Sequence, residues 1–244
     1  MTTYPLPETW QNATKRQKSR AARSFVELGK HAVPAYQGPL LVDDDDEAKM
    51  QDAHEVARRA MSLWAVILRA EKIPQADVFK ILEGLGLWGS VSPKEQIFLQ
   101  SDNPDPEVCK RFAWRLECIW VFLWALGYIE KLNWPDRMCD VPKIAAIMEP
   151  LEANPDFIVS AQLRSNSELL DAQDLIMRIH WAVREALLRH GGVIPEDLDW
   201  SGHSDMLPVT MSAAVGVVEE RHYALNWLLG YSDPLDWDHV DTPT

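Results

Sequence analysis

The sequence is poor in cysteine and glycine, and each shortage argues against a class of site. It has 3 cysteines and 11 glycines in 244 residues. An odd number of cysteines without C-x-x-C spacing argues against the disulfide framework of a secreted protein. We also expect no phosphate-binding glycine loop, and the sequence contains neither a G-x-S-x-G nucleophile elbow nor an H-E-x-x-H zinc motif. The residues therefore suggest no known catalytic set.

Positive charge and long apolar runs are also scarce. The 24 lysines and arginines are outnumbered by 37 aspartates and glutamates, which gives a net charge of −13. This balance disfavours nucleic acid and anionic membranes as partners and leaves basic proteins as an option. The longest apolar run, Cys118–Ile129, is shorter than the roughly 20 residues that cross a bilayer. The N-terminus has no apolar signal core, so we predict a cytoplasmic protein.

Helical periodicity dominates the sequence. A stripe of apolar residues from Val56 to Ile67 repeats every 3.6 residues, and Ser92-Pro93-Lys94-Glu95 is a capping box with proline at the first helical position. The 11 tryptophans are dispersed, and we expect most of them in the core. The predicted helices cover residues 14–30, 48–71, 74 to about 84, 93 onward, 107–131, 142–152, 155–163, 167–190 and 210–229. We predict an all-α fold in a single domain (residues 1–244) around a buried central helix at about 107–131.

We expect two charge clusters and one polar segment of the sequence to have structural roles. The first helix carries a basic cluster from Lys15 to Arg23, which we expect to be a solvated face. The acid run Asp43–Glu47 is expected to favour the N-terminus of the following helix through the helix dipole. Residues 192–207, rich in Asp, Gly and Pro, are predicted to form a loop.

Other charged side chains lie where the periodicity predicts core. Arg221 interrupts the apolar stripe of the last helix, which includes Val218 and Leu225. A buried arginine must be paired and hydrogen-bonded. We expect Arg221 to contact a carboxylate of another helix, with Glu117 of the central helix as the leading candidate.

The helix at residues 167–190 adds more polar groups. Asp174 precedes Arg178 by one turn, the favourable order for an ion pair, and His180 shares a face with Ile176. In the last helix, Asn226 has a poor helix propensity and needs a partner or a ligand to justify its place. Such groups form either a buried structural network or the lining of a polar pocket, and the sequence leaves both options open.

Metal binding is a weaker interpretation. Glu219 and His222 have the Glu-x-x-His spacing that helices of di-iron proteins use in pairs. The second copy is missing, because only Asp236-x-x-His239 approaches it, in a predicted loop. We therefore predict no metal, no cofactor and no catalytic residue.

A longer pattern points to a family. The segment Val217–Leu228 (VVEERHYALNWL) followed by Trp237-Asp238 resembles the C-terminal signature of the bacterial domain-of-unknown-function 4272 (DUF4272) family. The resemblance extends from about Arg23 to the C-terminus, although the ending Asp241-Thr242 matches loosely. Further matching segments are Ser92-Pro93-x-Glu95, Trp114-Arg115-x-Glu117, Cys139-Asp140, Asp174-Leu175 and His180-Trp181. The family has no assigned activity, so the resemblance implies no catalytic residues.

Two functions remain as hypotheses. The first is a non-enzymatic module that binds another macromolecule, with another protein as partner, in an accessory or immunity-type role. The alternative is an enzyme or small-ligand binder with a polar pocket between the central helix and the two long C-terminal helices. The candidate binding residues are Glu117, Asp174, Arg178, His180, Arg221, His222, Asn226, Trp237 and Asp238.

Overall fold

Helices form all the regular secondary structure that the computed structural model shows. The structure describes Trp10 and residues 12–36, 38–189, 191, 211–231 and 236–244. No strand occurs among these residues, so the predicted all-α class is confirmed. The predicted loop at 192–207 lies outside them. In chain order the helices are α1 (Lys15–Lys30), α2 (Ala53–Ala70), α3 (Gln75–Gly84), α4 (Pro93–Gln100), α5 (Pro106–Ala113), α6 (Leu116–Ala125), α7 (Val141–Met148), α8 (Asp156–Val159), α9 (Asn166–Arg189) and α10 (Met211–Leu228).

Side-chain caps determine where several helices begin. Thr14 caps α1 and Ser92 caps α4, each through a complete capping box, as the sequence predicts for Ser92. Asp52 caps α2 by accepting the N–H of Glu55, so α2 begins at Ala53 and not at residue 48. Ser165 caps α9, because its hydroxyl accepts the N–H of Glu168, so α9 begins at Asn166 and not at residue 167.

The acid run Asp43–Glu47 contacts α1 and does not stabilise the start of α2. Asp46 lies 3.0 Å from Arg16, and Asp45 lies 3.1 Å from Arg20. Arg20 is only 1% exposed, so the prediction of a fully solvated basic face is wrong at this position. A buried guanidinium needs carboxylates around it, and Asp45 together with Asp171 of α9 provides them.

The central helix is shorter than predicted and is interrupted. The predicted helix at 107–131 is two helices, α5 and α6, and every residue of α6 is buried. Between them the N–H groups of Arg115 and Glu117 bond to the carbonyls three residues earlier, which tightens the chain into a 3-10 turn. This turn joins an amphipathic helix to one that is apolar nearly all round. The second helix ends before Gly127, whose φ of 83° favours glycine.

α6 packs mainly against α2, α7 and α10. α9 in turn packs against α1 and α10. One continuous cluster of buried apolar residues extends from Trp10 to Trp237. α8 ends at Val159, well before the predicted end at 163, and α7 continues only as a 3-10 turn to Leu151. None of the helices in the described part of the chain combines the length and apolarity needed to cross a bilayer.

Replacement of Ser92 by alanine should destabilise the fold by about 2 kcal/mol, since it removes an N-cap and a side-chain hydrogen bond. The Ser92 hydroxyl accepts the N–H of Glu95 and donates to Asp238 Oδ1 at 2.7 Å. The free energy of unfolding in urea measures the effect. Ser101→Ala, at the other end of α4, is the control, because Ser101 bonds Arg69 through its backbone carbonyl. Equal losses in the two variants would refute the role of the cap.

Candidate functional site

Glu117 and Arg221 form a buried ion pair, as the sequence predicts. Arg221 Nε donates to Glu117 Oε2 at 2.9 Å, and its Nη1 donates to the Asn133 carbonyl at 2.7 Å. Glu117 Oε1 also accepts the backbone N–H of Cys139. The side chains are 1% and 3% exposed. The pair therefore ties α6 to α10 and to the segment that follows α6.

Asp174 and Arg178 form a second sealed pair within α9. The guanidinium binds both carboxylate oxygens, at 2.8 and 2.9 Å, and also donates to the carbonyl of Leu40. It lies over the rings of Trp10 and Phe25, 5.4 and 4.9 Å from their centroids. This arrangement anchors the chain around α1 to α9, which is a structural role.

His180 and His222 contact each other across α9 and α10. Their Nδ1 atoms are 2.8 Å apart, so one ring donates and the other accepts. Burial lowers the pKa of His180 to about 4, assisted by Arg184, and lowers the pKa of His222 to about 3, assisted by His180. Both rings are therefore neutral at pH 7. His222 thus has a protein partner in place of the metal that the Glu-x-x-His spacing suggested.

Asn226 finds the partners that its position in α10 requires. Its side-chain oxygen accepts a bond from Gln173 of α9 at 2.9 Å, and its amide nitrogen donates to the Asp241 carbonyl at 2.8 Å. The residue is 1% exposed. Asn226 therefore holds the C-terminal segment against α9 and α10.

Trp237 and Asp238 attach the same segment to α10 and to the start of α4. Trp237 is buried, and its ring packs against Trp227 and Tyr223. Asp238 accepts bonds from the Ser92 hydroxyl and from the N–H of Lys94, at the start of α4. The Trp-Asp motif thus joins the C-terminal segment to α4, and we call this contact of Trp237 and Asp238 the C-terminal clasp.

The sequence analysis did not predict the charged cluster around Arg115. Its guanidinium donates to Glu220 at 2.9 Å and lies over the rings of Tyr223 and Trp237, 4.1 and 5.3 Å from their centroids. The thiol of Cys118 contacts the same Glu220 carboxylate, and burial raises its pKa, so it is not a nucleophilic thiolate. The position of Arg115, a charged residue at the start of an apolar run, was the sequence signal that could have indicated this cluster.

Another ion pair went unpredicted in the capping box of α4. Glu95, fully buried, binds Arg59 of α2 through both carboxylate oxygens. The box predicts a glutamate at this position for helix capping alone. The helical periodicity of α2 does not predict a buried arginine at position 59, because Arg59 lies beside the apolar stripe.

An open cleft lies beside the Arg115 cluster, between α5, α9 and α10. Its volume is about 800 Å³. Its described apolar lining consists of Val108, Phe112, Trp114, Leu187, Val215 and Tyr223. Arg111 of α5 and Glu219 of α10 are exposed at its rim, and burial together with Glu220 raises the pKa of Glu219. We call this feature the α5–α10 cleft.

The predicted site residues do not converge on that cleft. Only Trp237 and Asp238 border it, and both serve the C-terminal clasp. Glu117, Asp174, His180, His222 and Asn226 are occupied in sealed contacts. A pocket does lie beside the predicted central helix and the two long C-terminal helices, but apart from Trp237 and Asp238 its lining differs from the predicted set.

Two motif predictions can be compared with the structure. The sequence was expected to contain no phosphate-binding glycine loop, yet its segment Gly84-Leu85-Gly86-Leu87-Trp88-Gly89 has the G-x-G-x-x-G spacing of one. A dinucleotide loop follows a strand and opens a helix, whereas these glycines follow α3 and lead into a 3-10 turn at Trp88–Ser90. The context of a phosphate loop is therefore missing. Within the described residues, no group of three or more His, Cys, Asp or Glu side chains could hold a metal ion.

Comparison with known proteins identifies a family. The family described as domain of unknown function (DUF4272) matches residues 20–240. No curated protein and no solved structure matches the chain significantly.

The Glu117–Arg221 pair predicts strong energetic coupling. Arg221→Met should cost about 3–5 kcal/mol, because it leaves Glu117 buried and unpaired. Glu117→Leu combined with Arg221→Met should recover part of this loss, with a coupling energy of about 1–3 kcal/mol. Urea unfolding of the two single variants and the double variant measures it. The exposed pair Asp77–Lys80 is the control and should show no measurable coupling. Additive losses at Glu117 and Arg221 would contradict the pairing.

The histidine pair predicts a pH-dependent stability. Unfolded histidines bind protons below about pH 6.5, whereas folded His180 and His222 do so only at about 4 and about 3. The unfolded chain therefore binds more protons in this window, and stability falls as the pH drops from about 6.5 towards 4. The variant His180→Leu/His222→Leu should have a shallower slope there, measured by urea unfolding at a series of pH values. The exposed control His54→Leu should keep the wild-type slope; a slope unchanged in the double variant would show that other groups cause it.

Proposed function

The chain belongs to the DUF4272 family, and we propose that it is a non-enzymatic binding module whose α5–α10 cleft receives an amphipathic helix of a partner protein. The observation that carries this proposal is the pair of helix faces that border the open cleft. Val215, Glu219 and Tyr223 lie at successive turns of α10, while Val108 and Phe112 lie one turn apart on α5 and Arg115 lies in the turn that follows it.

The spacing of these two stripes favours a helical partner. Two helices that present parallel ridges form a groove between them, and a third helix places its apolar side chains in such a groove at i, i+3 or i+4, and i+7. The residue types agree with this, because Trp, Tyr and Arg dominate the energetics of protein interfaces. Trp114, Tyr223 and Arg115 all border the cleft.

The polar groups of the cleft support docking over catalysis. Arg115 is already paired with Glu220, and Asp238 is held by Ser92 and Lys94. A catalytic or small-molecule site needs convergent polar groups that remain free to contact the ligand. Here the central surface is apolar and the exposed charges of Arg111 and Glu219 lie at the edge, which is the anatomy of a protein interface.

Charges at the rim specify the partner. Arg111 makes the α5 side positive, and Glu219 makes the α10 side negative. A matching helix carries acidic residues along the edge that faces α5 and basic residues along the edge that faces α10. The net charge of −13 adds a long-range preference for a partner that is basic overall.

The proposal predicts that Trp114 is a hot spot for binding. A photo-cross-linker introduced at position 111 in cells of the native host should capture a protein partner, and mass spectrometry should map the cross-link to an amphipathic helix. A synthetic peptide of that helix should bind the purified chain, with a Kd measured by calorimetry. Trp114→Ala should weaken binding at least about tenfold, because it removes an aromatic wall of the cleft.

The control for this experiment is Trp88→Ala. Trp88 is 36% exposed and packs on Phe79, and it does not border the cleft. It should leave the Kd unchanged. Cross-links that map only within the same chain, or a peptide Kd that is insensitive to Trp114→Ala, would overturn the proposal.

A further inference from the structure

A glycine interrupts the face of α10 that borders the α5–α10 cleft. Gly216 lies between Val215 and Glu219 in sequence, and all three residues line the cleft. In the interior of a helix, glycine lowers the equilibrium constant for folding about fivefold relative to alanine. A glycine in such a place allows another group to approach the helix backbone more closely than any side chain would permit.

The group that approaches Gly216 is the ring of Trp114. A Cβ atom at position 216 would lie 3.0, 3.1 and 3.2 Å from three adjacent carbons of the six-membered ring, Cζ3, Cη2 and Cε3. Carbon atoms that are not bonded to each other pack best at about 3.5–4.0 Å, so even a methyl group at 216 overlaps the ring. The three distances are nearly equal, whereas an edge-on approach would bring one carbon much closer than its neighbours. The indole therefore lies flat against the backbone of α10.

The same ring forms a wall of the cleft. Trp114 is half-buried and borders the cleft directly after the end of α5. Its backbone is held in the 3-10 turn, where its carbonyl accepts the N–H of Glu117. Because the ring is a rigid plane and three of its carbons contact position 216 together, an added side chain is accommodated only when the ring moves away from α10. That movement displaces the wall of the cleft.

This contact lies at the open cleft and not in the core. Val217 and Val218, the next residues of α10, are fully buried, whereas Gly216 and Trp114 are only half-buried. A larger residue at such a position would have a better helix propensity and would cover more apolar surface. The glycine therefore gives up helix stability in exchange for the position of the ring, which is consistent with a role of the ring in binding.

We propose that Gly216 is the positioning residue for Trp114. Its missing side chain lets the indole lie flat on α10, and the position of the indole sets the width of the α5–α10 cleft for the partner helix. The binding part of this inference rests on the proposed function, whereas the positioning part rests on the contact alone. Gly216 thus determines specificity through the ring, because a side chain at 216 changes the space that the cleft offers to the partner.

A double-mutant cycle on the full chain tests the positioning without any partner. The variants are Gly216→Ala, Trp114→Ala and the double variant, each unfolded in urea. Without the ring, alanine at 216 should raise the equilibrium constant for folding about fivefold through its helix propensity. With the ring in place this gain should be lost, so the effect of Gly216→Ala should differ at least about fivefold between the two backgrounds. Equal effects in both backgrounds would overturn the proposal.

Fluorine NMR reports the position of the ring directly. In the chain labelled with 7-fluorotryptophan, the fluorine sits on a ring carbon that does not contact position 216, and the Trp114 resonance is assigned by its absence from Trp114→Ala. Gly216→Ala should shift this resonance. The matched control is Gly84→Ala at the end of α3, where an added Cβ meets no atom within 4 Å, and it should leave the resonance in place. A resonance that Gly216→Ala does not shift would also overturn the positioning.

The binding part is measured with the partner peptide that cross-linking identifies. Gly216→Ala should weaken the Kd at least about fivefold, and it should have no further effect in the Trp114→Ala background, since it acts through the ring. Gly84→Ala should leave the Kd unchanged.

The outcomes separate this inference from the proposed function. A Kd that is insensitive to Gly216→Ala would overturn the specificity role of Gly216, while the proposed function would stand if Trp114→Ala still weakened binding. Failure to capture any partner would overturn the proposed function and with it the specificity role. The unfolding cycle and the fluorine shift would still decide whether Gly216 positions the ring.

Discussion

The burial of Glu117 is the constraint on which much of this structure depends. α6 enters the core with every side chain buried, and Glu117 enters with it. An ionised carboxylate in such a place requires a cation and further hydrogen bonds. Arg221 and the N–H of Cys139 provide them, from α10 and from the chain that follows α6. The position of α10 relative to α6 is thus tied to one electrostatic requirement as well as to apolar packing.

The same logic recurs around the core, at each place where a helix carries a charge inward. Arg20 requires Asp45 and Asp171, Arg59 requires Glu95, and Arg178 requires Asp174. Most of these pairs join segments that are distant in sequence, so they select one arrangement of helices that would otherwise pack through interchangeable apolar faces. Buried polar groups are retained in some proteins for this kind of specificity, at a cost in stability. The C-terminal clasp of Trp237 and Asp238 extends the scheme to the end of the chain.

Local signals in the sequence predicted the parts of this structure that depend on local physics. The Ser92 capping box and the stripe of α2 depend on spacing within one helix, so both were predictable. The Glu117–Arg221 pair was predictable because each side chain interrupts an apolar surface and few buried partners were available. The Arg59–Glu95 pair was not predictable, since Glu95 already had a role as a cap.

The break at Trp114 and Arg115 was missed because their backbone angles stay close to helical, and only the hydrogen bonds change. The acid run at Asp43 was misassigned for a related reason: its partner, Arg20, is determined by tertiary packing.

α10 carries the family signature and also borders the α5–α10 cleft. Its residues Val215, Glu219 and Tyr223 face the α5–α10 cleft, while Arg221 and Leu225 lie on the other side of the helix, towards α1 and α9. Between these faces, His222 and Asn226 contact α9. Substitutions in Val217–Leu228 therefore disturb the apolar core, a buried polar pair or the lining of the cleft. Structural constraint alone would account for the positions that face α6 and α9. It does not account for the apolar lining of the open α5–α10 cleft beside the exposed Glu219. Packing does not require that open apolar surface, and it is the physical reason to look for binding on this face of the helix.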